Sequence, residues 1–178
     1  TMQLLHYVER ARKAQDVNTA DTIGRAYMIA AASHPDVYFL MEDWRTSKYS
    51  NLQTTVTATV NGKTESYKVA LIVASENTTF TGKQGEYMDG FYETLNGELG
   101  LRTGKNAYNK EMVPRHKVKK SGAHSSGEAN RSYSKVDRWR IVERVDNGQI
   151  EVWSADGSKF GGWPQFRVWP DPDDEYRN

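Results

Sequence analysis

Residues 54–75 read TTVTATVNGKTESYKVALIVAS, and this stretch decides the fold class. Apolar and polar side chains alternate on both sides of Asn61-Gly62, a dipeptide typical of two-residue hairpin turns with positive φ. The turn predicts two antiparallel strands in which Val60 pairs with Lys63. Because side chains alternate across a strand, one face is expected to be core and the threonine-rich face solvated. The residues expected on the core face are Val56, Ala58, Val60, Tyr67, Val69, Leu71 and Val73.

A second Asn-Gly dipeptide, Asn147-Gly148, lies between two further alternating segments. The same turn geometry predicts a second hairpin, in which Arg144 faces Glu151 across the strands. A short apolar run after it adds one more strand and completes a C-terminal meander. Such a meander is typical of a small curled sheet or of an SH3-like barrel, and no motif decides between the two. The expected strands cover residues 139–145, 150–155 and 166–169.

Helical periodicity flanks the first hairpin on both sides. Residues 2–15 carry an apolar helical face. Asn18 and Thr19 are residue types that cap helices, so a second helix is expected to begin there and to end before Pro35. The N-terminus is therefore predicted to form a helical hairpin, and a third helix is predicted over about residues 84–96. The apolar face of the first helix consists of Leu4, Leu5, Val8 and Ala11.

These patterns together predict an α+β protein, in which an N-terminal helical hairpin accompanies an antiparallel sheet built on two Asn-Gly hairpins. The chain of 178 residues has no cysteine, which excludes disulfides, thiol catalysis and cysteine metal sites. No apolar run approaches the roughly 20 residues that span a bilayer, so a soluble cytoplasmic protein without a membrane partner is expected. The expected organisation is an α+β core at 1–101, a basic loop at 102–135, a β meander packed on the core at 136–170 and an acidic tail at 171–178.

Positive charge is concentrated between residues 102 and 140. This segment holds eleven Lys and Arg residues against three acids, a formal charge of +8, whereas residues 1–101 carry −3 and residues 141–178 carry −4. Such a concentration attracts polyanions whatever the net charge of the whole chain. Its centre has no apolar periodicity and is predicted to be a long loop, which favours a functional segment. The cations expected to bind phosphate are Arg115, Lys117, Lys119, Lys120, Arg131, Lys135, Arg138 and Arg140.

Aromatic side chains crowd the C-terminal meander. Most of them are expected to fill the core of a small β unit. Trp153 is the exception, because the strand pattern puts it on the same face as Arg140 and Arg144. Arginine beside an exposed aromatic ring forms a platform on which unpaired bases stack. Trp153 is therefore added to the predicted nucleic-acid-binding residues.

The basic segment also contains the candidates for catalysis, namely His116, His124 and Glu128. A histidine can act as general base in metal-independent RNA cleavage, with Lys or Arg stabilising the phosphorane. Histidines in a basic loop are more often ordinary polar residues, so no catalytic residue is assigned. Glu65 and Lys68 invite comparison with metal-dependent nucleases, but their spacing on a strand directs them to opposite faces. Neither a metal site nor a cofactor is expected, because the two histidines and one acid match no ligand pattern.

The leading interpretation is a nucleic-acid-binding accessory protein without catalysis, whose partner is DNA or RNA. The first alternative is a protein-interaction, inhibitor or assembly factor whose basic segment docks onto an acidic protein surface. The second alternative is a metal-independent ribonuclease or toxin. Salt-sensitive binding to polyanions distinguishes the first interpretation from a mainly apolar interface. Turnover of RNA in the presence of chelator would identify the metal-independent ribonuclease.

Overall fold

A computed structural model describes residues 2–35, 54–75, 78–81, 89–102, 109, 112–118, 136–144, 146–156 and 164–177. The helices are α1 (Met2–Ser33) and α2 (Asp89–Glu98). The strands are β1 (Thr54–Val60), β2 (Lys63–Ser75), β3 (Thr78–Thr81), β4 (Arg138–Arg144), β5 (Ile150–Ala155) and β6 (Pro164–Trp169). A 3-10 turn covers Asp174–Tyr176. The predicted α+β class with a C-terminal β meander is confirmed.

The strands form one antiparallel sheet in the order β1-β2-β4-β5-β6, and β3 pairs with the end of β2. Because β4 pairs with β2, the sheet runs without interruption from the first hairpin into the meander. The β1–β2 turn also meets the chain that follows β6. There the side chain of Asn61 donates to the Pro172 carbonyl at 3.3 Å and accepts from the Asp174 N–H at 3.0 Å. The sheet therefore curls toward the shape of a barrel.

The first hairpin has the predicted register. Val60 pairs with Lys63, and both turn residues have positive φ, 50° at Asn61 and 81° at Gly62. Alternation follows as expected where side chains are described, with Thr57, Thr59 and Thr64 exposed and Ala58, Val60 and Tyr67 buried.

The second hairpin forms, but the predicted pairing of Arg144 with Glu151 is wrong. Glu151 instead pairs with Val142, two residues away. The connection is longer than a two-residue turn, because the Gly148 N–H donates to the Arg144 carbonyl at 3.0 Å and, among the turn residues described, only Gly148 has a positive φ, 71°. A shift by an even number of residues leaves every side chain on its predicted face.

Helix α1 is continuous from Met2 to Ser33, so the predicted helical hairpin is wrong. Asn18 lies in its interior, and the Thr22 hydroxyl donates to the Asn18 carbonyl at 3.0 Å. Capping residues lower helix propensity only slightly, and the stretch before Gly24 contains no Gly or Pro that would interrupt the backbone hydrogen bonds. The later helix, α2, begins at Asp89, and residues 84–88 of its predicted range lie outside the described residues.

The sheet buries apolar side chains on both faces. One face packs against the two helices, with Ile23 and Tyr27 of α1 and Phe91 of α2 among the buried residues. The strand residues on this face are Trp139, Ile141, Val152, Phe166 and Val168. The opposite face holds a smaller cluster of Ala58, Val60, Tyr67, Val142 and Trp153.

Helix α1 lies close to β6 at Gly24. A Cβ atom at Gly24 would lie 2.6 Å from the ring of Trp169, so glycine permits this contact. The same ring is held from its other end, since Trp169 Nε1 donates to Asp21 Oδ1 at 2.9 Å.

The predicted acidic tail is packed near its end. Tyr176 is 2% exposed, and its hydroxyl donates to Ser154 Oγ at 3.0 Å. The described helices include none with the length and apolar character needed to cross a membrane.

Candidate nucleic-acid interface

Residues 112–118 of the basic segment run along α1. The N–H groups of Arg115 and His116 donate to the two carboxylate oxygens of Asp16 at 2.8 and 2.9 Å. The next N–H, that of Lys117, donates to Glu9 Oε2 at 3.2 Å. Two carboxylates of one helix thus hold three consecutive backbone N–H groups. The backbone direction of the segment, and with it the direction of its side chains, is fixed by these bonds.

Burial alternates along the segment. Pro114 and His116 are buried and Val118 is half-buried, whereas Arg115 and Lys117 between them are exposed. A period of two is that of extended chain, with Pro114, His116 and Val118 directed inward and both cations outward. The sequence PRHKV at residues 114–118 alternates in the same way. This alternation could have predicted an ordered extended segment, which the charge pattern alone does not indicate.

The His116 ring lies between two carboxylates from opposite ends of the chain. Its Nδ1 is 2.7 Å from Glu9 Oε2 and its Nε2 is 2.8 Å from Glu175 Oε1. A carboxylate can only accept, so both contacts are hydrogen bonds when the ring is the doubly protonated imidazolium. The Tyr176 ring meets the imidazole edge to face, with centroids 5.2 Å apart. His116 therefore joins α1, the basic segment and the C-terminal 3-10 turn.

The two helix carboxylates differ in their electrostatics. Burial raises the pKa of Asp16 to about 6, against its two backbone donors, which favour the charged form. Burial also acts to raise the pKa of Glu9, but hydrogen bonds from Arg12, His116 and the Lys117 N–H outweigh it and lower that pKa. Glu9 is therefore ionised at neutral pH, while Asp16 titrates much closer to neutrality.

His116 has no ring nitrogen available for catalysis. Its side chain is 5% exposed, and both nitrogens are bonded to carboxylates. A general base needs a nitrogen within reach of the substrate, so this geometry makes His116 an anchor of the segment. His124 and Glu128, the other candidates, lie outside the described residues. Across the described part of the chain, no group of three His, Cys, Asp or Glu side chains is arranged to hold a metal ion.

The predicted phosphate-binding cations differ in their exposure to solvent. Arg115 and Lys117 are exposed, and Arg138 is half-buried with its Nε donating to Asp137 at 3.0 Å. Arg140 is 6% exposed, and burial together with the charge of Arg138 lowers its pKa to about 10. Arg140 was predicted to bind phosphate, and its buried position corrects that prediction. The predicted residues outside the described ranges are Lys119, Lys120, Arg131 and Lys135.

Trp153 is a core residue, which corrects its assignment as a stacking platform. It is 1% exposed, and its Nε1 donates to Glu151 Oε1 at 2.9 Å. The Tyr67 ring packs against it edge to face at 5.1 Å. The strand pattern put Trp153 on the correct face, but the curl of the sheet makes that face an interior one.

The same interior face contains a cluster of polar residues that was not predicted from the sequence. Glu151 is fully buried, and its Oε2 lies 3.4 Å from Arg167 Nη1. Burial raises the pKa of Glu151, opposed by the Trp153 hydrogen bond and the Arg167 charge. Burial and the charge of Glu151 raise the pKa of Tyr67 to about 12. No hydrogen-bond partner of the buried Tyr67 hydroxyl is found among the described residues.

The exposed part of the interface offers the chemistry of anion binding. The Arg115 guanidinium can donate in a bidentate fork to phosphate oxygens, and the Lys117 ammonium acts as a point charge. Comparisons of the chain with protein-family models, with curated proteins and with solved structures found no match.

Proposed function

We propose that the protein binds the phosphate backbone of a nucleic acid through its basic segment, residues 102–140, as an accessory protein without catalysis. The observation that carries the proposal is the arrangement of Arg115 and Lys117. Both side chains are exposed, on a backbone held to α1 by Asp16 and Glu9. The buried His116 between them anchors the segment at its centre.

Anchoring increases what each cation contributes to binding. Lys and Arg side chains lose conformational entropy when they bind, and a loop loses backbone entropy as well. At Arg115 and Lys117 the backbone part is already lost in the free protein, because three N–H groups are hydrogen-bonded to α1. Each phosphate that the protein neutralises then releases counterions, which makes the affinity salt-dependent and largely independent of sequence.

A protein-interaction role is the second candidate, and a specific surface supports it. The first turns of α1 expose large apolar side chains, with Met2 at 88%, Leu5 at 66% and Tyr7 at 64% exposure. Clusters of exposed apolar side chains often mark protein-interaction sites. Binding to an acidic protein surface would use the cations of the same basic segment.

The test is the double variant Arg115→Ala, Lys117→Ala. Affinities for single-stranded DNA, single-stranded RNA and duplex DNA would be measured by fluorescence anisotropy over a range of salt concentrations. We expect weaker binding to all three nucleic acids. The salt slope should fall by about one unit for each phosphate that the variant no longer neutralises.

The matched control is Arg25→Ala, Lys63→Ala, which removes two exposed cations remote in sequence from the segment and changes the net charge equally. It should leave the affinity near that of wild type. Equal affinity of both double variants and wild type would contradict nucleic-acid binding by this segment. Equal weakening in both variants would mean that net charge, rather than this surface, determines binding.

A further inference from the structure

A groove lies beside the anchored segment, between the N-terminal half of α1 and the end of the chain. It encloses about 300 Å³ and is lined by His6, Glu9, Arg10, Lys13 and Arg177. This volume is at the lower end of the range of small-ligand pockets. Four of the five lining residues are basic in type, although none of them belongs to the basic segment of the sequence.

The cations of the groove are differently engaged. Among the described residues, Arg10 and Lys13 form no ion pair, and the Lys13 ammonium lies 3.4 Å from the Arg177 carbonyl. The Arg177 guanidinium is paired with Asp171 at 2.6 Å and with Asp174 at 3.6 Å. Within the described ranges, no carboxylate therefore balances the charges of Arg10 and Lys13, whereas Asp171 and Asp174 hold the Arg177 guanidinium.

Glu9 is the one acidic residue that lines the groove, and its charge is taken up within the protein. Its Oε1 is bonded to Arg12, and its Oε2 accepts from the His116 ring and the Lys117 N–H. Against the effect of burial, these bonds also lower the pKa of Glu9. An anion entering the groove meets a carboxylate whose oxygens already contact the Arg12 guanidinium, the His116 ring and the Lys117 N–H.

We propose that this groove binds a phosphate group, with Arg10 and Lys13 as the charged donors. The inference rests on the proposed function, since the ligand would be a backbone phosphate of the same nucleic acid that contacts Arg115 and Lys117. Continuity supports it: Glu9 lines the groove and also holds the backbone of Lys117. The binding surface thus extends from the basic segment onto two turns of α1 and to the C-terminus, regions whose summed charge is negative.

The test compares Arg10→Ala, Lys13→Ala with Arg115→Ala, Lys117→Ala and with the control Arg25→Ala, Lys63→Ala. Oligonucleotide affinity and its salt slope would be measured for each, with thermal melting to establish that every variant is folded. We expect the groove variant to bind more weakly than the control. Its salt slope should be lower by about two units, because two cations no longer neutralise phosphates.

A second measurement uses inorganic phosphate and pyrophosphate as probes. Titration followed by NMR should shift the backbone amides of residues 9–13 and 177 in a saturable way in wild type. The groove variant should lose these shifts.

The outcomes separate the two proposals. If only the segment variant binds nucleic acid more weakly and no groove amide shifts, the groove inference is wrong and the proposed function stands. If only the groove variant binds more weakly, the phosphate site stands and the assignment to Arg115 and Lys117 is wrong. If neither variant differs from the control in binding, both proposals are overturned.

Discussion

The two halves of α1 belong to one helix yet lie in opposite environments. In the first half, the apolar face predicted from residues 2–15 is largely exposed, and Leu5 is 66% exposed. In the second half, Ile23 is completely buried and Gly24 touches the Trp169 ring. An apolar stripe therefore shows that a helix has a side to bury, but not whether the same chain covers it.

Asp16 marks the boundary between the two halves. It is the first buried residue of α1, and its carboxylate accepts hydrogen bonds from two N–H groups of the basic segment. Before it, Glu9 accepts a hydrogen bond from the Lys117 N–H, and the Lys13 ammonium donates to the Arg177 carbonyl. After it, the helix packs on the sheet. The buried apolar residues of α1 all follow Asp16, beginning with Ala20.

The largest expected difference between the halves is in the cost of removing an apolar side chain. Ile23→Ala should lower the free energy of unfolding by about 2–5 kcal/mol, because it leaves a cavity against the sheet. Leu5→Ala should change it by no more than about 0.5 kcal/mol, as at other exposed positions. Urea unfolding of the two variants measures both values. Similar losses would mean that the first half of α1 is covered in solution, for instance by a second copy.

The boundary itself should respond to pH. The pKa of Asp16 is raised from 3.8 to about 6, so the folded protein binds this proton more tightly than the unfolded chain does. Its contribution to stability is thus fully present below about pH 4 and is lost as the pH rises through about 6. Because the pKa is raised by about two units, the free energy of unfolding should fall by up to about 3 kcal/mol over this pH range.

An NMR titration of the Asp16 carboxyl carbon tests this directly and should give a midpoint near the raised pKa. Relative to Asp16→Asn, which cannot titrate, wild type should lose stability between about pH 4 and pH 7. The Asp21→Asn variant is the control, since the Arg25 hydrogen bond lowers the pKa of Asp21. That variant should keep the fall seen in wild type. A midpoint at or below the ordinary value would show that Asp16 is not desolvated.

The smallest expected effect concerns the close approach of the second half to β6. Gly24→Ala puts a Cβ at 2.6 Å from the Trp169 ring, which must move, so we expect a loss of about 1–3 kcal/mol. Gly97→Ala on α2 has nothing within 4 Å of its added Cβ. It should be neutral or stabilising by up to about 1 kcal/mol, since alanine favours helix. Thermal or urea unfolding distinguishes the two, and a neutral Gly24→Ala would place the helix farther from the sheet.

Much of the sheet could be predicted because its signals are local. The turn at Asn61-Gly62 needs positive φ at two adjacent residues, and that requirement set the register of the first hairpin correctly. At Asn147-Gly148 the same letters form a longer connection, because only Gly148 of the dipeptide takes a positive φ. The observed register there differs from the predicted one by two residues, so each side chain still lies on its predicted face.

The candidate site was predicted in part. The position of the basic segment and the exposure of Arg115 and Lys117 follow from charge, since unpaired cations avoid desolvation. The role of His116 as an anchor could not be inferred from charge. His116 lies 107 residues from Glu9 and 59 residues from Glu175, and no local pattern announces bonds over such separations. The groove cations Arg10 and Lys13 were missed for a different reason, because they lie in a region whose summed charge is negative.

The sequence by itself determined the α+β class, the alternation of the strands, the first turn and the segregation of charge. Each of these depends on neighbours within a few residues, where backbone sterics and side-chain periodicity act. Only the tertiary structure decided that α1 is continuous, that Trp153 and Arg140 are interior and that His116 is an anchor. Burial depends on which distant segment covers a face, and a polar group is tolerated inside only where that segment supplies its hydrogen-bond partner.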